Sequence, residues 1–142
     1  MKKIKYASQN IDQADIKSVN KSLKSEFITQ GPKSKIFEDH IKKKFKSKYA
    51  VCVSSGTSAL KIAMMSINLS KSDGVIVPAI TFVATINAAR YITKNIIISN
   101  VDSSFGCITR EKLLDALKVA KKKKIKVKCL LNIFYAGQTK DL

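Results

Sequence analysis

A chain of 142 residues suits one compact domain or a part of a larger one, and its 45% hydrophobic content is that of a packed core, not a disordered polymer. The formal net charge is +17, from 27 basic and 10 acidic residues. No apolar run is long enough to cross a bilayer and the opening MKKIKYASQN lacks an apolar leader stretch, so neither a membrane partner nor a signal peptide is expected.

The charge invites a nucleic-acid role, but its details argue against a specific one. Arg90 and Arg110 are the only arginines, whereas base readout favours arginine. The lysines are spread along the chain apart from Lys121–Lys124, and no helix-turn-helix, zinc-finger or aromatic RNA-binding signature accompanies them. A lysine-rich solvated surface is the simpler account, with a basic nucleic-acid-associated domain as a remote alternative. Cys52, Cys107 and Cys129 are far apart and odd in number, and His40 is the sole histidine. No metal-ligand spacing results, so no metal is expected. Cys52 and Cys129 lie in apolar runs and read as buried thiols, which fits a reduced cytoplasm.

In chain order, Ile16, Val19 and Leu23 keep helical spacing, which predicts a helix over about residues 12–25. EFITQGP breaks it, and Pro32 starts a second helix whose inner face would carry Phe37, Ile41 and Phe45. Strands and helices then alternate. YAVCV reads as a strand, followed by a helix from Thr57 to about Asn68 with Leu60, Ala63, Met64 and Ile67 inward. GVIVP is a strand, and Phe82 to about Tyr91 a helix. NIIIS is a strand, and Thr109 to about Lys121 a helix with Leu113, Leu114 and Leu117 inward. KVKCLLNIFY is a last strand. Short apolar strands without alternation are those of a parallel sheet covered on both faces. The fold class is therefore α/β, mostly parallel with flanking helices. The sequence stops just after a strand, so the sheet is expected to be incomplete, the front of a larger domain.

Ligands of such sheets bind at the carboxyl ends of the strands. Ser54-Ser55-Gly56-Thr57 would lie there, between a strand and a helix. Gly56 would permit an unusual backbone angle and close approach, while Thr57 could cap the helix and offer a hydroxyl. Free amides at a helix start favour an anion. An ordinary cap with a tight turn would look the same. The stretch fits neither a Walker loop nor a dinucleotide fingerprint.

FITQGPKSKIFEDHI, YAVCVSSGTSALKIAM, VIVPAITFVATINAA and FYAGQTKDL follow one another in this order. Together they resemble the sugar-nucleotide aminotransferases of the DegT/StrS family, which use pyridoxal 5'-phosphate. The opening KIKYASQNIDQADIKSV is most similar to the transaminases of UDP-linked 4-keto-6-deoxy-N-acetylhexosamines on the way to pseudaminic-type sugars. The resemblance implies an amino-terminal part of the aminotransferase large domain, with residues 1–31 a helix and substrate strip and residues 32–142 the α/β portion. It implies that Gly56, Thr57 and Ser58 hold the cofactor phosphate and that Phe82 stacks on its ring. Tyr6, Glu26, Phe27, Ile28 and Thr29 would line the sugar-nucleotide site. It implies glutamate as amino donor, a homodimer and a cytoplasmic role in nucleotide-sugar and surface-polysaccharide synthesis.

Two departures from the family stand out. Phe134 occupies the place where the family often has a histidine, and IIISNVDSS replaces a more acidic strand. The resemblance also puts the Schiff-base lysine and the aspartate that pairs with the ring nitrogen downstream of residue 142. No catalytic residue is therefore assigned within the chain, and a truncated, inactive piece of the enzyme is expected. A non-catalytic phosphate or sugar-nucleotide binding module is the alternative.

Overall fold

The computed structural model describes residues 7–138. The chain divides into two compact units, Met1–Cys52 and Val53–Leu142.

The first unit holds two helices. Helix α1 (Gln13–Leu23) begins in a reciprocal cap: Asp15 N–H donates to Asp12 Oδ1 at 2.9 Å and Asp12 N–H donates to Asp15 Oδ2 at 3.0 Å. Helix α2 (Pro32–Phe45) starts with proline in its first turn, where a missing N–H costs nothing, and ends at Lys46 in the left-handed region. The inner face expected on α2 is only half realised. Ile41 is half-buried, but Phe37 and Phe45 are 56% and 69% exposed, because no described segment of this unit packs over them.

The predicted YAVCV strand does not form. Residues 49–53 carry no strand assignment, and Tyr49 and Val51 are largely exposed. A strand exists only through its ladder, and here the Cys52 N–H donates instead to Glu38 Oε1 of α2 at 2.9 Å. Cys52 is consequently exposed, contrary to the buried thiol that its apolar neighbours suggest.

The second unit is the α/β part, with order α3 (Gly56–Ser66), β1 (Gly74–Pro78), α4 (Val83–Arg90), β2 (Ile96–Ser99), α5 (Arg110–Lys122) and β3 (Val127–Leu130). The sheet is parallel in the order β2-β1-β3, with Ile76 beside both Ile97 and Leu130. Central β1 is buried at every position, and its side chains alternate between two cores. Val75 and Val77 pack with Met64 of α3 and Ala88 and Ala89 of α4. Ile76 packs on the opposite face with Ile97, Ile108 and the α5 residues Ala116 and Ala120. A strand covered on both faces needs no polar side, which is why GVIVP reads as a continuous apolar run.

The inward faces of α3 and α5 differ from those that the apolar spacing predicts. In α5 the inward residues are Leu113, Ala116 and Ala120, while Leu114 and Leu117 face out. In α3, Met64 is buried and Leu60 half-buried, but Ala63 and Ile67 are exposed. Small alanines allow each helix close to the sheet, and that proximity sets the rotation more than the position of the leucines.

Candidate functional site

A cleft of about 620 Å³ opens where α3 and α4 begin, beside the carboxyl end of β1. Gly56, Thr57, Leu60 and Ala63 form one wall, and Phe82, Ala84 and Thr85 the other.

At the start of α3, Ser55 is the cap, with its hydroxyl accepting from the Ser58 N–H at 3.1 Å. The cap expected at Thr57 is thereby corrected: Thr57 lies one residue inside the helix. Its hydroxyl is not consumed by capping, and helix geometry leaves the amides of Gly56 and Thr57 without an intrahelical acceptor. Gly56 is not among the residues with positive φ, so its expected unusual backbone angle is not found. Its contribution is space: an added Cβ would meet nothing within 4 Å. The Ser58 hydroxyl lies 3.3 Å from that of Ser54 and 3.1 Å from that of Ser55. Five small residues, Ser54 to Ser58, thus place four hydroxyls and two free amides around one helix end.

Across the cleft, Phe82 is the cap residue of α4 and its side chain is 74% exposed. The residue is fixed through its backbone, since its carbonyl accepts from the Thr85 N–H at 3.0 Å. Thr81 Oγ1 donates to buried Thr85 Oγ1 at 2.8 Å, tying the loop before Phe82 to the helix. The sequence pointed to the Ser54-Ser55 stretch but not to Ser55 as the cap or to the Ser54–Ser58 contact, and it missed Thr81 and Thr85. The signal for these contacts was the i,i+4 spacing of Ser54 with Ser58 and of Thr81 with Thr85.

The predicted sugar strip divides differently. Tyr6 lies outside the described residues. Glu26, Phe27, Ile28 and Thr29 form an exposed loop between α1 and α2 in the first unit. Phe27 and Ile28 border a small cavity of about 290 Å³ with Val19, Leu23 and Gly31. The Phe27 carbonyl approaches Gly31 so closely that a Cβ there would come to 2.9 Å. Gly31 therefore fixes the turn that presents this loop.

Among the described residues no helix is long and apolar enough to cross a membrane, and no group of three His, Cys, Asp or Glu side chains could hold a metal. A helix N-terminus ringed by hydroxyls and faced by an exposed aromatic ring has the chemistry that could hold a flat, phosphate-bearing cofactor.

Residues 9–142 match the DegT/DnrJ/EryC1/StrS aminotransferase family, and the chain belongs to it. Pyridoxal phosphate is the cofactor of this family's aminotransferases. Spr1654 from Streptococcus pneumoniae, named as a sugar aminotransferase, is similar in its PMP form with 26% identity and a TM-score of 0.82. That match covers 97% of this chain and 33% of Spr1654, and the PLP form matches with a TM-score of 0.81. GDP-4-keto-6-deoxy-D-mannose-3-dehydratase from Escherichia coli, with bound hydrated PLP, is 25% identical over 87% of this chain and 39% of its own, with a TM-score of 0.70. An aminotransferase from Psychrobacter cryohalolentis is 25% identical over 84% of this chain and 37% of its own, with a TM-score of 0.67. The chain thus spans about a third of the length of the Streptococcus protein.

Proposed function

We propose that this chain is the amino-terminal, cofactor-cradling part of a pyridoxal-phosphate-dependent sugar aminotransferase. The reaction is transfer of the glutamate amino group to a UDP-linked 4-keto-6-deoxy-N-acetylhexosamine, in cytoplasmic nucleotide-sugar synthesis for surface polysaccharides. The observation that carries this is the shared cleft of Gly56, Thr57 and Phe82. Gly56 and Thr57 bind the cofactor phosphate through their amides, aided by the Thr57 and Ser58 hydroxyls, and the bare Gly56 leaves it room. Phe82 stacks on the ring and holds its orientation. Glu26, Phe27, Ile28 and Thr29, with Tyr6, line the sugar-nucleotide site, and two copies pair in the working enzyme. The bound cofactor supplies the electron sink, and the lysine and aspartate that complete its chemistry have no counterpart among these 142 residues. A second reading, dehydration of a 4-keto sugar, is favoured by the likeness to the Escherichia coli dehydratase.

Titrating pyridoxal phosphate into the chain tests the site. Binding is expected to be reversible, competed by inorganic phosphate, and weakened about tenfold by Thr57→Val and roughly two- to tenfold by Phe82→Leu. The chain alone is expected to give no aminated sugar with glutamate and the keto sugar. Variants that bind as the parent does would overturn the assignment of the cleft, and an aminated product above a protein-free control would overturn the inactivity.

A further inference from the structure

In a parallel sheet, the turns that lead from helices into strands all lie on the amino edge, opposite the edge that carries the cleft described above. Here each of the three such turns carries at least one lysine. Lys71 precedes β1, Lys94 precedes β2, and Lys121–Lys124 and Lys126 precede β3, while Arg90 ends α4. The order β2-β1-β3 sets these turns side by side, with neighbouring strands about 5 Å apart, inside the screening length of physiological salt.

The turns are bound into one surface. Buried Thr93 donates its hydroxyl to the Lys71 carbonyl at 3.0 Å, and Asn95 Nδ2 donates to the Ser72 carbonyl at 2.8 Å. The Gly74 N–H donates to the Lys126 carbonyl at 2.7 Å, and the Val75 N–H to the Asn95 carbonyl at 3.0 Å. Between the first two turns lies a cleft of about 470 Å³ bordered by Lys71, Arg90, Tyr91, Thr93, Lys94 and Asn95.

Its cations have no internal counter-charge. Among the described residues Lys71, Arg90, Lys94, Lys121–Lys124 and Lys126 enter no ion pair. The one acid in these turns, Asp73, is buried and taken by Lys128 at 3.0 Å and by the Ser70 N–H at 2.7 Å. Helix dipoles explain cations in the last turns of α4 and α5, but Lys71, Lys94 and Lys126 lie outside the helices. At the end of α4 the Asn87 carbonyl is moreover occupied by the Tyr91 N–H, and the Ala89 carbonyl by the N–H groups of Ile92 and Thr93. A rigid cleft with three unpaired cations on long side chains matches a multiply charged anion with several acceptor oxygens.

We infer that the amino-edge cleft of Lys71, Arg90 and Lys94 is a second anion site, which takes a phosphate-rich ligand. The shared chemistry is a polyphosphate or a phosphate headgroup. It stands independently of the cofactor cleft, since its residues come from the opposite ends of the helices.

Inorganic pyrophosphate added to the ¹⁵N-labelled chain tests this. Saturable amide shifts are expected at Lys71, Thr93, Lys94 and Asn95, and Lys71→Gln with Lys94→Gln should raise Kd at least tenfold. Lys71 contributes only its carbonyl to the bonds between turns, and the Lys94 carbonyl accepts from the Ile96 N–H within its own segment, so an unchanged melting curve is expected for this variant. Lys17→Gln with Lys21→Gln on α1 removes the same charge and should change Kd less than threefold. Equal losses in the two variants, or shifts confined to Gly56–Ser58, would overturn the site. So would the absence of saturable binding. Vesicles with and without phosphatidylserine identify the source: sedimentation with the anionic vesicles, lost in the Lys71/Lys94 variant, assigns a headgroup, and pyrophosphate binding without sedimentation assigns a free polyphosphate.

Discussion

Two glycines at opposite ends of the same α/β unit do different work, although the sequence shows only the same letter. Gly56 faces open space at the start of α3, whereas a Cβ on Gly74 would come within 2.5 Å of Ile125 Cγ2. Gly56→Ala is therefore expected to leave stability within about 1 kcal/mol of the parent, since alanine suits a helix at least as well. Its methyl group would intrude where we propose the phosphate to lie, so pyridoxal phosphate affinity should fall. Gly74→Ala should instead cost about 1–3 kcal/mol, the range for overpacking a filled site. Denaturant midpoints and cofactor titration on both variants check the pair; a Gly74→Ala chain as stable as the parent would contradict the close packing. Asp73 offers a pH test at the same scale. The Ser70 N–H and then the Lys128 ammonium hold its carboxyl below the ordinary value of 3.8. A depressed folded value means the stabilisation is present above about pH 4 and is lost as pH falls through the lower folded value. Asp73→Asn should thus be less stable than the parent at pH 7, with the gap closing below pH 4. A gap that stays constant from pH 7 to pH 3 would show that the charge contributes nothing.

At the scale of elements, five helices and three strands were legible because their signals are local. Helical spacing, proline at the start of α2, threonine before α5 and the apolar runs of β1 and β2 each follow from nearest neighbours in sequence. YAVCV carried the same signal and failed, since a ladder needs a second strand and composition cannot supply one. The small residues at the start of α3 were legible for a related reason, since a helix start declares its amides, whereas Phe82 was singled out only by the family resemblance. The identity of the cap and the shared hydroxyls of Ser54, Ser55 and Ser58 depend on side-chain rotamers and were not legible. The exposed state of residues 49–52 has a direct check. Cys52 is exposed, Cys107 is buried, and burial pushes the Cys129 thiol up. Thiol-specific labelling of the native chain at pH 7.5 should modify Cys52 first, with Cys107 and Cys129 following only on denaturation. Protection of Cys52 in the native chain would restore the strand.

At the scale of the whole molecule, two properties oppose each other. Large apolar side chains are exposed in both units, among them Phe37, Phe45, Met65, Phe82 and Ile98. Strands β2 and β3 are both edges of the sheet, and their unpaired backbone groups can recruit another chain. Exposed apolar surface of this kind favours association. The net charge of +17 opposes it, because every approach between copies brings like charges together. That repulsion is screened over about 10 Å at 0.1 M salt and about 3 Å at 1 M, whereas apolar attraction is not weakened by salt. Self-association of the 142-residue chain should therefore rise with ionic strength, the reverse of what ion-pair-driven assembly would give. Light scattering at fixed protein concentration from 0.02 M to 0.5 M sodium chloride distinguishes the two. Scattering that falls across this range would mean that copies meet through opposite charges, and a monodisperse chain at both ends would mean that the exposed apolar residues are covered in solution.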